Sequence, residues 1–165
     1  MWDTVTSPVT TPDPWDAARA SDIIAGLKGQ DGPLLPILHA IQQAFGCIPE
    51  AAEPLIADHL NITRAEVHGV VTFYHDFRRE PAGRHVLKVC RAEACQSMGS
   101  DALVAHLERR LGLRCGKTSA DGQITVEAVF CLGLCAVAPS AMFDGAVVGR
   151  LNEQQLDTLI AEAKA

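Results

Sequence analysis

The chain has 165 residues, of which 48% are hydrophobic and 21% charged, and a net charge of −6. This is globular composition, long enough to bury a sizeable core, and no run approaches the roughly 18 uninterrupted apolar residues of a membrane span. Residues 1–80 hold 11 acidic and 5 basic side chains while residues 81–165 hold 9 of each, so no basic patch of the kind a nucleic-acid surface needs is on offer.

Residues 1–12, rich in Thr and Pro, show no periodic apolar face and are expected to form a mobile tail. Asp13 reads as an N-cap with Pro14 at the first helical position, opening a helix that Gly29 closes. A second helix follows Pro33, with Leu34, Leu38, Ile41 and Phe45 at helical spacing and Gly46 as its stop. A third contains Pro54 in its first turn and ends at Asn61. Thr63 and Glu66 form a capping box for a fourth, "RAEVHGVVTFYHDF", with Val67, Val70, Val71 and Tyr74 inward. Residues 13–80 thus read as a helical bundle.

The period then changes to two. "HVLKVC" is a strand ending at Cys90, and a loop carrying Cys95 and Gly99 leads into a helix with Leu103, Leu107 and Leu111 on one face and Gly112 as its stop. A short strand in "LRCGKT", the turn "ADGQ" and the strand "ITVEAVF", running up to Cys131, come next. "SAMFDGAVVG" is a hairpin around Asp144-Gly145, a type I′ signal, and Asn152 caps a last helix with Leu156, Leu159 and Ile160 inward. The expected class is α+β, a helical bundle over 13–80 followed by a mixed-sheet, thioredoxin-like domain over 81–165.

Both cysteine pairs, Cys90/Cys95 and Cys131/Cys135, fall where a strand hands over to a loop, the edge at which ligands gather in such sheets. If Cys90 and Cys131 end neighbouring strands, the four thiols make one site. The N-terminus has neither a basic n-region nor an apolar h-region, so a cytoplasmic, reducing setting is expected, which disfavours disulfides. The C-x4-C spacing departs from the C-x-x-C of a thiol exchanger. Structural zinc and a [2Fe-2S] cluster both take four thiolates; the wider loops favour iron, and spacing leaves zinc open as the rival. Cys47 and Cys115 read as core residues.

Read together with "PLLPILHAIQQAFGCIPE", "VHGVVTFYHDF" and "CLGLCAVAPSAMFDG", the C-x4-C … C-x3-C pattern resembles the family of the 24-kDa subunit of NADH:quinone oxidoreductase, over about residues 33–152. Its relatives include the matching subunits of NAD-reducing hydrogenases and NAD-dependent formate dehydrogenases. "CRAEACQSMG" is most similar to the gamma subunit of the molybdenum- or tungsten-dependent formate dehydrogenase. The resemblance implies a thioredoxin-like [2Fe-2S] ferredoxin with Cys90, Cys95, Cys131 and Cys135 as ligands. It implies electron transfer without catalysis in this chain, a flavin- and NAD-binding partner subunit and, through it, a formate-oxidising one. FMN, NAD and the molybdenum or tungsten cofactor are then expected on the partners.

A four-thiolate cluster carries a net charge of about −2 oxidised and about −3 reduced, so backbone N–H groups are expected to face the sulfurs. Gly99, Gly133, Ala92, Ala94 and Ala136 would allow that approach, and Lys88 or Arg91 would offset charge unless turned to solvent. His68 and His75 share a helical face but read as packing residues. Phe73, Tyr74 and Phe77 on the acidic bundle are the expected docking aromatics.

Overall fold

The computed structural model describes residues 13–164; the expected tail over 1–12 lies outside them. The described residues separate into two units, 13–81 and 82–164, with separate buried cores.

The first unit holds four helices, α1 (Ala17–Leu27), α2 (Leu34–Phe45), α3 (Ala52–Leu60) and α4 (Arg64–Phe73). Each contributes an apolar stripe, and Ile24, Ile37, Leu38, Ile41, Ile56 and Val67 are fully buried in a common core, each worth about 1.5–3 kcal/mol of hydrophobic transfer. Gly46 ends α2 and Asn61 ends α3, both with positive φ, and their N–H groups close the last turns on Gln42 and Ala57. The Thr63/Glu66 capping box opens α4.

Four expectations are corrected in this unit. The cap of α1 is Asp16, which accepts from the N–H groups of Ala18 and Arg19, and the helix stops at Leu27, before Gly29. Asp13 instead pairs with Arg19, and its N–H bonds Ala44. Tyr74 caps the end of α4 in extended conformation and is 44% exposed, because the helix has ended before the next inward position. Phe77 is buried, leaving Phe73 and Tyr74 as the exposed aromatics.

The second unit is a five-stranded mixed sheet in the order β2-β3-β1-β4-β5, with β1 His85–Cys90, β2 Lys117–Thr118, β3 Ile124–Val129, β4 Ser140–Phe143 and β5 Ala146–Gly149. β1 pairs parallel with β3; every other pairing is antiparallel. Between β1 and β2 run a short helix, α5 (Glu93–Ser97), and α6 (Ser100–Leu111); α7 (Glu153–Glu162) closes the unit. Leu103, Val104 and Leu107 of α6 and Leu156 and Ile160 of α7 share a core with Leu87, Val89, Ile124 and Val126 of the sheet.

Asp144 and Gly145 take φ of 48° and 87°, the double left-handed pair that a type I′ hairpin requires. Two further corrections apply. The segment carrying Cys95 is helical for five residues, too few to leave a periodic signal. The regular strands of "LRCGKT" and "ITVEAVF" are shorter than expected, so Cys115 lies outside β2 and β3 stops at Val129, before Cys131.

Candidate metal centre

Parallel pairing of β1 with β3 sets Cys90 opposite Val129, and the Arg91 N–H extends the ladder to the Val129 carbonyl at 2.8 Å. The two strand ends therefore deliver Cys90 and Cys131 to the same edge of the sheet. Past β3 the chain turns sharply: Cys131 has φ 92° and Gly133 φ 77°. The left-handed region suits Gly133 but strains Cys131, a cost tolerated mainly where surrounding structure and function demand it.

The turn brings Cys131 and Cys135 Sγ to 3.7 Å, and the Gly133 N–H donates to Cys131 Sγ at 3.3 Å. Cys135 opens a 3₁₀ turn, Cys135–Val137. That turn is stapled to the segment after β5 by Arg150 N–H to Val137 O (2.6 Å) and Leu151 N–H to Pro139 O (2.9 Å). Val137 lies against Gly149, where a Cβ would approach Val137 Cγ2 to 2.6 Å.

The other pair is buried. Cys90, the last residue of β1, and Cys95 on α5 are each 2% exposed. Burial pushes the Cys90 thiol up, but the N–H of Ala92, the Cys95 thiol and the N–H groups of Cys131 and Leu132 more than offset it, and its pKa is lowered. Backbone donors from both loops thus converge on one sulfur and favour its thiolate. Cys95 Sγ also lies 3.6 Å from the buried hydroxyl of Ser140, the first residue of β4. The exposed Cys135 is pushed up by its hydrogen bond to the Cys131 thiol and then by the charge of that neighbour.

Two thiolates on one tetrahedral metal with bonds of about 2.3 Å lie about 3.8 Å apart, which is the span of Cys131 and Cys135. Among the described residues, no three His, Cys, Asp or Glu side chains converge on a point that could hold a single ion. The thiols come as two pairs, one sheltered and one open, and a donor set of this kind fits a two-iron cluster.

Of the neighbouring cations, Arg91 is held by Asp101 at 3.0 Å and Lys88 lies 3.7 Å from Glu127, so carboxylates already balance both. His68 Nδ1 lies 3.0 Å from the carboxylate of the buried Glu53. Cys47 is buried in the helical unit and Cys115 half-buried, and burial pushes both thiols up. The residue that sequence reasoning missed is Ser140. It meets Cys95 only through the fold, 45 positions away, and no local spacing announces it.

The model of the thioredoxin-like [2Fe-2S] ferredoxin family matches residues 20–164. The chain belongs to that family. Among its relatives, the NADP-reducing hydrogenase subunit HndA of Solidesulfovibrio fructosivorans is 33% identical over 139 residues, covering 84% of this chain and 81% of the relative. A subunit of the NADH-quinone oxidoreductase of Pseudomonas aeruginosa is 39% identical over 107 residues, covering 65% of this chain and 64% of its own length. In a solved structure of a NAD+-reducing [NiFe]-hydrogenase in the air-oxidised state, one chain matches with a TM-score of 0.68 at 25% identity over 79% of this ferredoxin. The ferredoxin spans only 22% of that hydrogenase chain. As a [2Fe-2S] family member it is an electron carrier, and no helix among the described residues is long and apolar enough to cross a membrane.

Proposed function

We propose that this ferredoxin is a cytoplasmic, non-catalytic electron-transfer subunit that holds one [2Fe-2S] cluster on Cys90, Cys95, Cys131 and Cys135. The carrying observation is the meeting of the two strand-end pairs at one sheet edge, with backbone N–H groups from both loops around Cys90. The cluster supplies one-electron transfer. The chain's own residues hold it, shelter one side and leave the other open to a partner.

The relatives named for NAD(P)-linked hydrogenase and quinone-reductase subunits support a flavin- and NAD-binding partner. The string "CRAEACQSMG" supports a formate dehydrogenase complex over those two, with FMN, NAD and the molybdenum or tungsten cofactor on partner subunits. Phe73 and Tyr74 are the candidate docking aromatics; with Leu34, Leu60, Ile62 and Val70 they line an apolar groove of about 880 Å³.

Iron and acid-labile sulfide analysis with EPR of the dithionite-reduced protein tests the reading. About two irons per chain and an S = 1/2 signal are expected, whereas stoichiometric zinc without iron in anaerobically prepared protein would overturn it. Ser in place of any of the four proposed ligands should perturb or abolish the signal; Cys47→Ser and Cys115→Ser should not. Recovery of the tagged chain from its source, with mass spectrometry of what accompanies it, decides the parent complex. A hydrogenase or quinone-reductase partner set would remove the formate assignment.

A further inference from the structure

We infer that Ser140 raises the reduction potential of the cluster through a hydrogen bond to Cys95. This rests on the reading of Cys95 as a ligand. In the free thiol either atom of the 3.6 Å contact could donate. A sulfur bound to iron carries no proton, so in the loaded protein the hydroxyl is the donor and the sulfur the acceptor.

The contact has little freedom to be anything else. Ser140 is 1% exposed and Cys95 2%, so bulk water does not compete for the hydroxyl. The serine backbone is fixed on both sides: it opens β4 in register with Gly149 of β5, and the preceding Pro139 carbonyl is held by the Leu151 N–H. Cys95 is set independently by α5, a different stretch of chain.

Reduction adds one electron to an already anionic group. A donor aimed at one of its sulfurs stabilises the more negative state more strongly, and the low-dielectric surroundings enlarge that preference. Ser140 acts through Cys95 and is a tuning residue, not a ligand.

The test is a redox titration of the loaded protein followed by EPR, with iron and sulfide measured in each sample. Ser140→Ala is expected to keep about two irons per chain while its equilibrium constant for reduction falls by about tenfold, a drop of about 59 mV for one electron. Should the alanine variant fail to hold a cluster, the near-isosteric pair Ser140→Thr and Ser140→Val isolates the hydroxyl, and the threonine protein should titrate at the higher potential. Full cluster content with an unchanged potential in Ser140→Ala, or equal potentials for the Thr and Val proteins, overturns the inference and leaves the four ligands standing. Wild-type protein without iron overturns the ligand reading itself.

Discussion

Glu53 has no exposed surface, yet Arg64, His68 and Arg79 all reach its carboxylate. Burial pushes this carboxyl up, but the hydrogen bonds from His68, Arg79 and Arg64 outweigh it and hold its pKa below the ordinary value. A carboxyl lowered on folding contributes stability that is complete above its unfolded pKa, near 4.3, and is lost as pH falls through the folded value. Glu53→Gln should therefore cost about 1–3 kcal/mol in urea unfolding at pH 7, and the gap to the wild type should narrow below about pH 4. An equal gap at pH 7 and pH 3 would show that the charge is not what the site uses. The role of Glu53 was not legible in the sequence, where it is one acidic residue among many; its three partners lie 11, 15 and 26 positions away.

At the scale of elements, the caps discriminate between neighbouring residues. Asp16→Ala removes the side chain that accepts from the first turn of α1 and should cost about 1 kcal/mol. Asp13→Ala removes only a half-exposed ion pair and should cost less, between about 0 and 1 kcal/mol. Thermal melts of the two variants measure the order directly. Pro14 after Asp13 carried the stronger helix-start signal in the sequence, and Asp16 won because its carboxylate meets two N–H groups. Stops were read more reliably, since Gly46, Asn61 and Gly112 all take the positive φ that their residue types favour. The turn that carries Cys135 depends on a different glycine. Gly149→Ala places a methyl group against Val137, and the 3₁₀ turn should shift with it. The expected result is a lower iron content at the same chain concentration, while Gly26→Ala, where nothing lies within 4 Å, should leave iron unchanged.

At the scale of the molecule, the two apolar cores share no residue. Truncating a fully buried side chain typically costs about 2–5 kcal/mol, and here the loss should be confined to one unit. Ile41→Ala should destabilise the helical unit while leaving the reduced EPR signal intact; Leu87→Ala, on the strand that ends in Cys90, should diminish it. Loss of the signal in both would show that the units do not fold separately. What the sequence offers toward a boundary is the change in period of the apolar residues near residue 81, from helical to alternating. The close sequence spacing of the thiols was legible, and the structure sets Cys90 at the end of β1 and Cys131 two residues past the end of β3. The placement of Ser140 was not, because it depends on which strands become neighbours and in what register.

The parallel pairing of β1 with β3 also dictates timing. Antiparallel neighbours can close as a hairpin almost as soon as they are made, but parallel ones must wait for the crossover between them. Residues 85–90 find their partner only after α6 and the 124–129 strand exist. A growing chain that has emerged as far as Thr118 presents one cysteine pair; the second arrives with Cys131 and Cys135, and its turn is stapled only by residues 150 and 151. On the proposed four-cysteine ligation, a receptacle for iron and sulfide would be complete only late in biosynthesis, after the sheet around it has been built.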